Sequence, residues 1–112
     1  MTAFFVQDGN SIDHTPGADV AAGEVVVQGE LVGVAKLDIP AGRLGALAVS
    51  GVFDLAKAAG SGVTFSAGDK VYWDASGSVA VATDGSGANK LVGKAVADAA
   101  DGDSTVRVRL SQ

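Results

Sequence analysis

Asp13-His14-Thr15 sets an acid, the chain's single histidine and a hydroxyl side by side. These are residue types that nucleophilic catalysis uses, but a triad needs three groups converging in space. Neighbours on an extended chain point alternately to opposite faces. With Pro16-Gly17 following, "IDHTPG" (12–17) reads as a polar turn or loop. "GANKLVGKA" (87–95) looks at first like a phosphate loop, yet a Walker motif needs four residues between its glycines and a hydroxyl after its lysine. Here Gly87 and Gly93 enclose five, and Ala95 follows Lys94. "TDGSG" (83–87) and "DGDS" (101–104) offer oxygen ligands without the spacing or the closing glutamate of an EF-hand. The pairs Asp98/Asp101 and Asp101/Asp103 have no companion motif for acid–base work and read as solvated loop carboxylates. With no cysteine, thiolate chemistry and disulfides are absent. The expectation is a protein without catalytic residues, cofactor or metal site.

The elements that would position any site come from the glycine pattern. Sixteen glycines against two prolines point to many short strands joined by tight turns. Candidate strands are 3–7 ("AFFVQ"), 24–28, 31–35, 44–50, 51–56, 70–74, 78–82, 91–97 and 105–110. In "TVRVRL" (105–110), Val106, Val108 and Leu110 share one face while Arg107 and Arg109 share the other. In "KVYWD" (70–74), Val71 and Trp73 point together, with Tyr72 opposite. Phe53 and Leu55 share a face of "GVFDLA" and read as core. "AKAAGSG" (56–62) has room for one helical turn before Gly60 and Gly62 stop it.

Two phrases occur twice. "ELVGVAKLDIPAG" (30–42) aligns with "KLVGKAVADAADG" (90–102), matching Gly33 with Gly93, Asp38 with Asp98 and Gly42 with Gly102. "AGEVV" (22–26) likewise precedes the first copy as "AGDKVYW" (67–73) precedes the second. About fifteen extra residues in the second half read as a hairpin over 74–89. The expectation is a single all-β domain over 1–112, with an N-terminal arm and turn at 1–19. Its related β-meander halves, 22–50 and 67–110, would close on each other as a small compact barrel or sandwich.

Charge narrows the function classes. Thirteen carboxylates against eight Lys and Arg give a net charge of −5, which argues against nucleic acid as a ligand. No apolar run reaches membrane-spanning length, and the start lacks the pattern of a signal peptide, so a soluble, cytoplasmically made protein is expected. Phe4 and Phe5 are adjacent, so one ring must face away from any single core. The arm is therefore the candidate partner-binding element.

The chain resembles the phage capsid-cement family, small head-decoration proteins long grouped as a domain of unknown function. The likeness rests on 18–58, on "AGDKVYWD" (67–74) and on "LVGKAVADAADGDSTVRVRL" (91–110). The resemblance implies a β-rich structural protein on the outer surface of the virion capsid. It would be made in the host cytoplasm and bind the major capsid protein, commonly as a homotrimer, with no cofactor, nucleic acid or membrane. A rival reading is a small β-barrel accessory module binding carbohydrate through Tyr72 and Trp73. Adjacent residues on one strand point apart, which does not make a stacking platform.

Overall fold

The computed structural model describes residues 2–5, 7, 9–57 and 63–111. They form nine strands and one 3-10 turn at Gly85–Gly87. The strands are β1 (Ser11–His14), β2 (Val25–Gln28), β3 (Leu31–Ala35), β4 (Gly45–Ala48), β5 (Val52–Ala56), β6 (Lys70–Asp74), β7 (Val79–Val81), β8 (Lys90–Ala95) and β9 (Thr105–Leu110). Two antiparallel sheets result, ordered β1-β4-β3-β2 and β5-β9-β8-β6-β7; neither strand order closes into a barrel, though a single bridge joins Lys57, just past β5, to Ala80 of β7. With β7 set aside, the second order follows the first strand for strand.

The repeated phrases make matching hydrogen bonds. The Ala22 amide donates to Asp38 Oδ1 and the Ala67 amide to Asp98 Oδ1, each at 2.8 Å. Gly23 donates to the Ala35 carbonyl at 2.6 Å, as Gly68 does to that of Ala95 at 2.7 Å. Both glycines have positive φ, +87° and +95°, which a side chain would strain. Single bridges, Val20 with Ile39 and Phe65 with Ala99, tie the flanking segments together in each half. The extra residues of the second half supply β7, which pairs with β6 as a hairpin strand.

The first sheet curls around a cluster of its own. There Ile12, Val26, Ala35 and Leu47 contribute one residue from each strand, closed over by Val20 and Ile39. His14 and Gln28 lie on the two edge strands of that sheet, yet His14 Nδ1 is 3.2 Å from Gln28 Oε1. A sheet whose edge side chains meet is strongly curved. Gly33 permits the curve, since a Cβ there would sit 2.8 Å from the Cβ of Leu47. The opposite face of β2 and β3 presents Val25, Val27, Val32 and Val34, which join the larger cluster of Leu55, Phe65, Val71, Trp73, Val92, Val106, Val108 and Leu110. That cluster therefore spans both sheets.

The faces read from alternation hold at β9, where Val106, Val108 and Leu110 are buried and Arg107 and Arg109 exposed. Val71 and Trp73 are buried as well, with Tyr72 half-buried. Two expectations need correction. The segment 12–17, expected as a loop, contributes β1 because the β4 backbone pairs with it from Ser11–Ala48 to His14–Gly45. The strand expected at 3–7 is not formed at Ala3, Phe4, Phe5 or Gln7, and Val6 lies outside the described residues. Beyond Lys57, the helical turn expected over 56–62 also falls largely outside them.

Candidate functional site

The residue sets that suggested chemistry are engaged in holding turns and strands. Asp13 and His14 are consecutive on β1, so strand geometry turns them to opposite faces. Lys90 opens β8, its Nζ donating to the Gly87 carbonyl at 3.0 Å and pairing with Glu30 at 2.8 Å. Lys94, the lysine of the phosphate-loop reading, is exposed on the same strand, and a strand offers no helix N-terminus to receive a phosphate. Asp84 Oδ1 accepts from the Ser86 amide within its own turn. Asp98 accepts from Ala67, and Asp103 Oδ2 from the Ala100 amide at 2.8 Å. The backbone of the 101–103 turn also receives the buried Lys57, whose Nζ donates to the Asp103 carbonyl at 2.9 Å. Among the described residues no group of three His, Cys, Asp or Glu is placed to hold a metal ion.

Among the described residues, two carboxylates have shifted acidity, both through local hydrogen bonds. Arg107 donates to Asp54 from Nε at 2.9 Å and from Nη2 at 3.2 Å, which lowers the Asp54 pKa and raises that of Arg107. Asp74 is lowered first by the Ser76 hydroxyl, at 2.7 Å, and then by the amides of Gly77 and Ser76. Neither group sits in an enclosed site. Both brace the surface, one across β5 and β9, the other in the β6–β7 turn.

Among the described residues, several large apolar side chains stand uncovered. Phe4 and Phe5 are 77% and 83% exposed, so neither ring packs into the domain's own end. The arm enters β1 through a turn at Gly9-Asn10, where Gln7 Nε2 donates to the Ser11 carbonyl at 3.2 Å. Beside that root lies an open groove of about 420 Å³ between the 36–40 turn and β4. Leu37 and Leu44, 77% and 70% exposed, stand on its walls, and Asn10 and Ser11 form its near end. Gly45 shapes the groove, because a Cβ there would collide with Ile39 at 2.7 Å. Leu37 and Leu44 were not singled out from sequence. Their signal was two leucines in a stretch otherwise punctuated by turn residues, "KLDIPAGRLG".

The stacking-platform reading of Tyr72 and Trp73 meets a direct obstacle. Trp73 is 6% exposed and belongs to the core, which leaves no free ring face for a sugar. Among the described residues, no helix is long and apolar enough to cross a membrane.

Neither a curated protein nor a solved structure matches the chain. The phage cement protein family matches residues 6–110, from the arm through β1 and both repeated phrases to the last residue of β9. By that match over nearly its whole length, the chain belongs to the phage cement protein family.

Proposed function

We propose that this protein binds the outer surface of the assembled phage head and reinforces it, as a homotrimer seated on the major capsid protein. Membership of a structural capsid family carries the reading. A cement acts by binding energy spread over subunit junctions, so it needs shape and uncovered apolar groups and no reactive centre. The exposed pair Phe4 and Phe5, with Leu37 and Leu44 beside the arm's root, suits that role. Large apolar side chains left in water by one chain are the usual material of protein–protein contacts. The net charge of −5 favours dispersal before assembly.

The same proposal includes the two-unit architecture, in which each unit is one sheet and the pair packs as a sandwich-like body. The units would begin at β1 and β5, upstream of the repeated phrases, since those strands hold equivalent places in the two sheet orders. Cosedimentation with capsids from the same genome tests the function. Saturable binding to expanded shells, with weaker binding to unexpanded ones, is expected. Absence of binding to either shell would remove the cement role.

A further inference from the structure

The register of the five-stranded sheet sets three cations in one row. Lys70 of β6 is opposite Lys94 of β8, Lys94 is opposite Arg109 of β9, and Arg109 is opposite Val52 of β5. Directly paired residues point to the same face, so the row reads Val52–Arg109–Lys94–Lys70 across four neighbouring strands. All four residues are exposed. With strands spaced about 4.8 Å apart, the three charges occupy roughly 10 Å. Like charges directly opposite one another cost stability. Lys90 and Arg107 are matched by Glu30 and Asp54, but no described carboxylate lies within 4.0 Å of Lys70, Lys94 or Arg109. A chain with thirteen carboxylates thus gathers three of its eight Lys and Arg where no described carboxylate answers them.

We propose that this row is a docking surface for an acidic segment of another polypeptide, with Val52 receiving an apolar residue at its end. Charge complementarity selects the partner. A short cluster of carboxylates feels the local field of the row, because screening limits the rest of the molecule to about 8 Å at physiological salt. A long polyanion such as nucleic acid also meets the rest of a chain of net charge −5, which opposes it. Carboxylates about 5 Å apart, as on successive turns of a helix, match the spacing between strands. Val52 is 55% exposed and Val96, whose amide bonds the Arg107 carbonyl, is 45% exposed, so apolar contacts flank the charges.

The surface can be tested on the isolated protein, without capsids. Amide shifts of the ¹⁵N-labelled chain are followed during titration with an acetylated hexaglutamate peptide, with hexaglutamine and hexathymidylate as comparison ligands. Saturable shifts confined to Val52, Lys70, Lys94, Arg109 and their neighbours are expected with hexaglutamate alone. They should vanish near 1 M salt, where the Debye length falls to about 3 Å. Lys94→Glu should weaken the binding roughly ten-fold while circular dichroism stays unchanged. Arg109→Gln and Lys70→Gln provide independent variants should Lys94→Glu perturb the sheet. Shifts scattered over the surface, equal shifts with hexathymidylate, or undiminished binding by all three variants would overturn the proposal. So would salt-sensitive self-association abolished by Lys94→Glu, which would make the partner a second copy of this chain.

Discussion

Trp73 is the chain's one tryptophan and lies in the cluster common to both sheets. Replacing it by Ala should cost about 3–5 kcal/mol, read as a lower urea midpoint. A nearly unchanged midpoint would place the ring outside the core. Gly93 is a second sensitive position, because a Cβ would run into the Arg109 backbone carbonyl. Neither rotamer change nor side-chain movement relieves a collision with backbone. Gly93→Ala should therefore reach the upper end of the roughly 1–3 kcal/mol that overpacking costs, measured the same way. Acid sensitivity is expected at Asp74, whose carboxyl is held below its ordinary pKa by the Ser76 hydroxyl and the turn amides. A depressed carboxylate contributes its stability above the ordinary value and loses it as pH falls through the lowered one. Asp74→Asn should thus narrow the stability difference between pH 7 and pH 3, compared by urea melts. An unaltered difference would assign the acid sensitivity elsewhere. The exposed Asp54–Arg107 pair acts in the same direction, but solvent screening makes such pairs weak.

At the scale of elements, the arm and β1 show what the sequence could and could not specify. "TVRVRL" and "KVYWD" were readable because strict alternation of branched or aromatic residues with charged ones leaves a single burial pattern. "SIDH" carries one strong apolar residue, so nothing local marks it as a strand, and pairing with β4 supplies the order. The converse holds for the arm: "AFF" has high strand propensity, but Ala3, Phe4 and Phe5 form no strand within the chain. Leu37, Leu44 and the Val52–Arg109–Lys94–Lys70 row escaped notice because groove walls and cross-strand neighbours depend on long-range register. If the arm supplies assembly contacts, deleting residues 2–8 should leave the circular dichroism of the domain intact. Trimerisation or capsid binding should weaken, since burying one phenylalanine is worth roughly 1.5–3 kcal/mol and avidity multiplies the loss. Light scattering and cosedimentation measure this, and full assembly by the shortened chain would exclude the arm.

At the scale of the whole molecule, the question is whether the two sheets behave as one body. The smaller cluster belongs to the first sheet and its flanking bridge, which alone would allow that sheet to melt separately. The larger cluster opposes this, because Val32 and Val34 of β3 are buried among side chains of the second sheet. Lys90 and Glu30 add an ion pair between the β2–β3 turn and β8, though Glu30 is largely exposed and contributes little. Burial of branched side chains between the sheets is the stronger coupling, and a single cooperative transition is expected. Trp73 fluorescence reports the second sheet, while a His14→Trp, Trp73→Phe double variant moves the reporter to the first. The urea transition of each protein by fluorescence should coincide with its own transition by far-ultraviolet circular dichroism. Val32→Ala should then shift both reporters down together, by an amount in the range of large-to-small core substitutions. If the β1 reporter moved alone while Trp73 kept its midpoint, the seam would not couple the sheets, and each would have to be treated as a separately folding unit.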